Sequence, residues 1–267
     1  MKTDLNSKAI FLVPFSIGAI KENSIFHTNN FIQLNQKEIL AKANIAMIKG
    51  NYLEAAKYYK LFLDKGYSDP TVFSNYGIIL QSSGQLNDAI DLYLKSINLY
   101  PKYPYSYSHL GTIYKDIGKL KESEILLRKA IEIEPSFVDA YFNLGNTIRA
   151  FGNYPEAIVN YKKALELNQN FSKAKSVLIE CKAQICDWSD QKIQNEWLNE
   201  LGIKGDSIEP MCTMYVEDNG IKQLKRAQKI YKERFLREEK IIKHKKNKKI
   251  RIGYFSADFK DHPVMHL

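Results

Sequence analysis

The chain has 267 residues, of which 45% are hydrophobic and 26% are charged, and this balance excludes an intrinsically disordered protein. Its net charge of +9 is concentrated between Lys222 and Arg251, where 14 basic residues stand against 3 acidic ones. The rest of the chain carries 25 basic and 27 acidic residues, so the basic balance describes one segment only. We interpret that segment as a solvated helix face or linker. Nucleic-acid binding is the weaker alternative, because few aromatic residues are interleaved with its bases.

The cysteines Cys181, Cys186 and Cys212 are odd in number, so they cannot all pair in disulfides, and they contain no CxxC motif. This pattern predicts free thiols in a reducing compartment, and we expect a cytoplasmic protein. Without paired cysteine or histidine spacing, the sequence predicts no metal site.

Residues 1–35 begin with two lysines that precede an apolar run from Ala9 to Ile20, which Pro14 interrupts. The run is too short to span a membrane, and we expect no membrane span. It has the faint shape of a signal peptide, but no small-residue cleavage site follows it. We interpret residues 1–35 as an N-terminal extension whose apolar residues pack on the first element that follows.

Between residues 36 and 171 the sequence repeats with a period of 34 residues. Small residues recur at this period in two columns, which are Gly77, Gly111 and Gly145, and Gly84, Gly118 and Gly152. Large residues recur in further columns, such as Phe73, Tyr107 and Tyr141, or Tyr93, Leu127 and Tyr161. The first row keeps Gly50 and Tyr59 but has Ala43 in the first small column. A small residue lets one helix approach another closely, and a glycine between two helices accepts the positive φ of a tight turn.

This pattern resembles the tetratricopeptide repeat, in which each 34-residue unit consists of two antiparallel helices. The resemblance divides the region into four repeats, residues 36–69, 70–103, 104–137 and 138–171. Each unit leaves apolar surface that only its neighbour can cover. The predicted fold is therefore all-α, a right-handed α-solenoid with a concave face.

Polar side chains recur on the first helix of each repeat, at positions that we expect to face the concave groove. They are Asn44, Asn75, His109, Asn143 and Asn146. An amide both donates and accepts hydrogen bonds, so a row of amides can hold the backbone of an extended peptide. The sequence predicts a groove that binds acceptor or partner proteins. The alternative is that these side chains are merely solvated.

The chain after the repeats changes character. Residues 172–190 are predicted to form a capping helix, and residues 191–249 a helical basic linker. Residues 250–267 begin with Ile250, Ile252, Tyr254 and Phe255, which are typical of a strand, and a helix is predicted near His262 and Pro263.

Cys186-Asp187-Trp188 and the run from Arg251 to Leu267 resemble the protein O-GlcNAc transferases and their SPINDLY-like bacterial relatives. The resemblance implies a glycosyltransferase that moves a sugar from a UDP-sugar to Ser or Thr hydroxyls without a metal. It also implies that His262 is catalytic and lines the active site near the acceptor. Residues 250–267 would then start the first lobe of a truncated α/β glycosyltransferase domain.

One strand does not make a nucleotide-binding lobe, and the sequence contains no glycine-rich phosphate loop. We therefore expect this chain to be the N-terminal part of a longer transferase and to be inactive alone. No cofactor is expected, since the UDP-sugar donor belongs to the complete enzyme. The alternative function is a non-enzymatic module that binds other proteins.

Overall fold

The computed structural model describes residues 34–209, 211–214 and 216–235. These residues form helices and their connections. The helices are α1 (Gln36–Ile48), α2 (Tyr52–Asp64), α3 (Pro70–Ser82), α4 (Leu86–Leu99), α5 (Pro104–Asp116), α6 (Leu120–Ile133), α7 (Val138–Ala150), α8 (Tyr154–Leu167), α9 (Ser172–Gln184), α10 (Gln191–Leu198), α11 (Met211–Met214) and α12 (Gly220–Phe235).

Helices α1 to α8 form four consecutive pairs, and each pair packs mainly on itself and on the next one. Short turns join the two helices of a pair, and Gly84 lies in one of them with φ +82°. This left-handed conformation disfavours other residues, which explains why glycine recurs there at the 34-residue period. The described part of the chain is an all-α solenoid of tetratricopeptide repeats, as the period predicts.

The first helices begin where the local sequence supplies a start signal. Asp69 caps α3 by accepting hydrogen bonds from the backbone amides of Thr71 and Val72, at 2.8 and 3.3 Å. Pro70 and Pro104 occupy the first turns of α3 and α5, where a missing N–H costs nothing. Local start signals therefore mark the beginnings of α3 and α5, whereas α7 has neither a side-chain cap nor a proline in its first turn.

In the second, third and fourth repeats, the glycine of the first small column contacts a large side chain of the second helix. The rings of Tyr93 and Tyr161 lie so close to Gly77 and Gly145 that an added Cβ would stand 2.5 and 2.6 Å from their Cε1 atoms. At Gly111 an added Cβ would stand 2.9 Å from Cγ of Leu127. Glycine is therefore needed for the spacing of these helix pairs.

Successive repeats meet through small and neutral polar side chains as well as apolar ones. Ser106 of α5 donates to Ser96 of α4 across 2.7 Å, and both are fully buried. The hydroxyls of Ser123 in α6 and Thr147 in α7 lie 2.9 Å apart. These contacts identify the side of each first helix that faces the second helix of the preceding repeat.

Helix α9 caps the last repeat and also contributes to a second, smaller hydrophobic core. Ile179 of α9 packs with Leu198, Leu201 and Ile208, which belong to α10 and the connection that follows it. The segment predicted as a helical basic linker contains α10, α11 and α12, and the described residues between these helices form turns and irregular backbone. In addition it is folded, which the sequence did not reveal, and we call residues 185–209, 211–214 and 216–235 the C-terminal unit.

A fully buried arginine organises the C-terminal unit. Arg226 of α12 donates from Nε to the carbonyl of Leu201 and from Nη2 to that of Leu198, both at 2.8 Å. Its Nη1 donates to Thr213, at 3.2 Å, and to the carboxylate of Glu217. Because a buried charge requires partners on every side, Arg226 ties α10, α11 and α12 together.

The predicted strand in residues 250–267 and the extension in residues 1–33 lie outside the described residues. Among the helices that are described, none combines the length and the apolarity that crossing a membrane requires.

Candidate functional site

The first helices of successive repeats lie side by side and form one face of the solenoid. On this face, α5, α7 and α9, together with the first residue of α8, surround a pocket of about 580 Å³. Phe142, Tyr154 and Val177 give it apolar walls, while Asn146 contributes an amide. Further polar groups in the lining come from Lys115, Arg149, Glu180 and Gln184. This mixture of apolar and polar side chains suits a side chain and the adjoining backbone of a peptide.

The charges in the pocket are paired. Arg149 of α7 and Glu180 of α9 form an ion pair with 3.1 Å between Nη1 and Oε2. Lys115 of α5 lies 2.9 Å from the carboxylate of Asp116. The lining carries two basic side chains and one carboxylate, and each of them has a partner of opposite charge. The pocket therefore favours an amphipathic segment over a simple anion or cation.

Two cysteine thiols, those of Cys181 and Cys212, lie close to Glu180. Cys212 donates to Glu180 Oε2 across 3.6 Å, and burial, together with that carboxylate, raises the pKa of its thiol to about 11. Burial raises the pKa of Cys181 to about 12. Both groups are therefore protonated at neutral pH, and the arrangement provides no thiolate nucleophile.

Asn146 is held by a tyrosine of its own repeat. Tyr161 of α8 donates its hydroxyl to Asn146 Oδ1 across 2.9 Å. Burial raises the pKa of Tyr161, so this hydroxyl stays a donor at any physiological pH. The group that Asn146 can still offer to a ligand is its Nδ2 amide, a hydrogen-bond donor.

At the other end of the solenoid, Asn44 and Asn75 share one tyrosine. Tyr59 donates to Asn44 Oδ1 at 3.0 Å and accepts from Asn75 Nδ2 at 3.3 Å. Burial raises the pKa of Tyr59 to about 12. Asn75 is only 3% exposed, so its amide serves the junction of the first two repeats instead of an open groove.

The remaining two predicted groove residues also contact the preceding repeat. The ring of His109 stacks on Tyr93 with 5.5 Å between centroids, and its Nε2 is shielded from solvent. Burial lowers the pKa of His109 to about 4, so the imidazole is neutral at physiological pH. Asn143 donates from Nδ2 to Ser108 Oγ at 3.3 Å and is partly exposed.

The five predicted groove residues therefore do not form one row. Asn146 lines the pocket, Asn75 is buried, and the other three lie along the first helices at junctions within or between repeats. Sequence reasoning missed Arg149 and Glu180. Their signal was available, because the face that carries Asn146 continues one turn along α7 to Arg149 and across to α9.

The sequence showed the tyrosine column, but the contact of its tyrosines with asparagines of the first helices was missed. Tyr59 and Tyr161 occupy the large-residue column of their repeats, and each meets an asparagine of the first helix. In the second repeat the tyrosine is Tyr93, and Ile78 stands where the asparagine would be. The 34-residue alignment alone therefore reveals which tyrosines have an amide partner.

Within the described residues, no group of histidine, cysteine and acidic side chains is arranged to hold a metal ion. His262, the predicted catalytic residue, lies outside them, so its role stays a prediction.

Family models of the tetratricopeptide repeat match residues 77–118, 104–137 and 138–171. A comparison with curated protein sequences found no match. The matched residues begin within α3 and extend past the end of α8, so they lie in the second to fourth helix pairs.

Solved structures support the same architecture. A fragment of MamA, "41-end" from Desulfovibrio magneticus RS-1, has a TM-score of 0.54 and 21% identity, and covers 64% of this chain and 97% of its own. A MamA RS-1 double mutant has a TM-score of 0.51 and 20% identity, with 62% and 92% covered. At these identities the likeness shows the fold alone.

An O-GlcNAc transferase mutant from Thermobaculum terrenum is also similar, with a TM-score of 0.42 and 23% identity over 43% of this chain and 22% of its own. A likeness this low carries no argument about activity. Together, the family models, the MamA structures and the helix pairs show an all-α tetratricopeptide-repeat solenoid, a fold whose repeats typically bind other proteins.

Proposed function

We propose that the pocket between α5, α7 and α9 binds an extended segment of a partner protein. The observation that supports this proposal is the composition of the pocket, which combines apolar walls from Phe142, Tyr154 and Val177 with the amide of Asn146. A large apolar side chain of the partner would fill the pocket, and a backbone carbonyl beside it would accept from Asn146 Nδ2. Arg149 and Glu180 would bond to the polar groups that flank this side chain.

The test uses the full chain and a displayed library of random twelve-residue peptides. Peptides enriched on the wild-type chain are synthesised, and their affinities are measured for Asn146→Ala and Asn44→Ala. The two asparagines form a matched pair, since each accepts from the tyrosine of its own repeat at 2.9 or 3.0 Å. Only Asn146 lines the pocket.

We expect Asn146→Ala to weaken the enriched peptides about tenfold, as loss of one buried hydrogen bond does, and Asn44→Ala to leave them unchanged. If the peptides bound both variants with equal affinity, the binding site would lie outside this pocket. Failure to enrich any peptide over a scrambled library would remove the proposal.

We further propose, from the resemblance of residues 251–267 to protein O-GlcNAc transferases, that the repeats present acceptor proteins to a glycosyltransferase. The sugar donor would be a UDP-sugar, and His262 would lie beside the acceptor hydroxyl. The native polypeptide is tested first, by its intact mass with an antibody against the repeats. Transfer of sugar by that native protein, lost in His262→Ala, would support the proposal, whereas no transfer would leave the binding module as the function.

A further inference from the structure

The first repeat exposes a surface that every later repeat buries. Ile45 of α1 is 51% exposed, while the equivalent residues of the next three repeats, Ile79, Ile113 and Thr147, are at most 1% exposed. Ile48, one turn further along α1, is 64% exposed. Its equivalents Ser82, Asp116 and Ala150 are not buried either, so the burial in later repeats applies to the position of Ile45. The sequence of the first repeat therefore still carries isoleucine at a position that is built for burial.

The later repeats show what covers this position. Ile79 packs with Tyr59 and Phe62 of α2, the second helix of the preceding repeat. Ile113 packs in the same way with Ala89 and Tyr93 of α4. The uncovered surface of α1 thus lies where the second helix of a preceding repeat would lie.

The uncovered surface forms a stripe along α1. Ala41, Ile45 and Ile48 follow one another at spacings of four and three residues and so share a side of the helix. All three are exposed. Terminal repeats of solenoids usually turn a polar side to water, and an apolar one there favours aggregation unless something covers it.

We propose that residues 9–20 of this chain cover the stripe and act as the missing neighbour of the first repeat. The segment Ala9-Ile10-Phe11-Leu12-Val13-Pro14-Phe15-Ser16-Ile17-Gly18-Ala19-Ile20 contains no charged residue. Its apolar side chains match the stripe in chemistry. This inference is independent of the pocket and of its proposed ligand.

The length of chain before α1 permits this contact. Residues 21–34 separate the segment from the cap of α1, and fourteen extended residues span at most about 46 Å. Helix α1 has 13 residues and is about 20 Å long. The segment can therefore reach any point of the stripe. Because it is tethered, its effective concentration there is in the millimolar range, above that of a free partner.

A second copy of the chain is a poorer occupant. Lys37 and Lys42 are exposed on α1 and Lys49 is exposed at its C-cap, and Glu38 is the acidic residue among them. Two copies of this face would bring their lysines together, and like charges at a contact are unfavourable. The uncharged segment meets no such repulsion.

The experiment places the photo-cross-linking residue p-benzoylphenylalanine at position 45 of the full chain. After irradiation, the cross-linked peptides are identified by mass spectrometry. The control carries the same residue in place of Ile125, which is 67% exposed on α6. We expect cross-links from position 45 to residues 9–20 within one chain, and none to this segment from position 125.

A second variant makes the test specific. Phe11→Ser combined with Leu12→Ser should reduce the cross-linking yield from position 45 at least fivefold without changing helix content. Cross-linked product of twice the chain mass would identify a second copy as the occupant and overturn the proposal. So would the absence of cross-links to residues 9–20, or a yield that the double substitution does not alter.

Discussion

The solenoid and the C-terminal unit of the same chain are held together by opposite chemistry. Between repeats, the buried polar groups are neutral hydroxyls and amides, such as Ser106, Thr147 and Asn75. In the C-terminal unit the centre is ionised, with Arg226 at 0% exposure, and at its junction with the solenoid Lys182 is at 1%. Neutral contacts can recur with each repeat, whereas a buried charge demands one particular set of partners.

The junction between the two regions shows the same contrast. Lys182 of α9 donates to Ser189 at 3.1 Å and pairs with Asp187, at 3.0 Å, and with Asp190. Asp190 also lies 3.3 Å from Lys162 of α8. The end of the solenoid is therefore specified by charge, although its interior is specified by shape.

The largest expected effect is at the buried arginine. Arg226→Met keeps a long side chain but removes the donor to Glu217 Oε2 and to the carbonyls of Leu198 and Leu201, which should cost about 3–5 kcal/mol. Lys222 still pairs with Glu217 Oε1, at 2.7 Å. Hydrogen exchange should then become fast in α10–α12 and stay slow in α3–α8. Arg226→Met with Glu217→Leu should recover part of the loss. An equal rise of hydrogen exchange in α3–α8 and α10–α12 would contradict the conclusion that the two regions are stabilised separately.

The second prediction separates the two regions by pH. His109 has a pKa of about 4 when folded, against an ordinary 6.5, so the folded chain binds fewer protons between these values. Stability is therefore full above pH 6.5 and falls by about 3 kcal/mol as pH drops to 4. Lys182 holds the pKa of Asp190 below its usual range, so the junction loses that contribution only at lower pH.

Thermal unfolding of the full chain at several pH values measures this effect. His109→Phe should flatten the decline between pH 6.5 and 4 without altering what happens below pH 4. An unchanged decline in that variant would mean that another group, outside the second and third repeats, dominates the pH dependence.

The third prediction concerns the close approach of helices within a repeat. In Gly145→Ala the new Cβ would meet the ring of Tyr161, which is fully buried, and repacking should cost about 1–3 kcal/mol despite the better helix propensity of alanine. In Gly111→Ala it would stand 2.9 Å from Cγ of the aliphatic Leu127 and 3.3 Å from the carbonyl oxygen of Ser123, so it meets no ring but also contacts the backbone. Urea unfolding should therefore show a larger loss of stability for Gly145→Ala than for Gly111→Ala. A larger loss for Gly111→Ala would argue against the contact with the tyrosine ring as the cause.

The smallest expected effect compares two tyrosines in the same column. Tyr161→Phe removes the donor to Asn146 and should cost about 0.5–1.5 kcal/mol. The hydroxyl of Tyr93 is buried and has no hydrogen-bond partner among the described residues, so Tyr93→Phe should be neutral or slightly stabilising. Chemical denaturation measures both. A large loss in Tyr93→Phe would reveal a partner for that hydroxyl.

The repeat region was predictable because its physics is periodic. A residue that must be small, such as Gly77, or must take a positive φ, such as Gly84, is required again 34 residues later. The alignment of the sequence with itself therefore exposes helix pairs, turns and the tyrosine column without any structure.

The C-terminal unit could not be predicted in this way. Arg226 is one of many basic residues between Lys222 and Arg251, and nothing in its sequence neighbourhood distinguishes a buried arginine from a solvated one. Its burial depends on carbonyls 25 and 28 residues away, which are not encoded by local pattern. The peptide-binding groove stays a prediction, and the burial of Asn75 could not be predicted, since it depends on the position of Tyr59.

Glu180 gives the pocket and the C-terminal unit a common side chain. Its Oε2 atom accepts from Arg149 in the pocket and from Cys212 in α11. A ligand that drew Glu180 toward the pocket would release the contact to α11, and loosening of α11 would change the affinity for that ligand by the same factor. Ligand binding in the pocket would thus be coupled to the C-terminal unit through the carboxylate of Glu180, without any movement of the repeats.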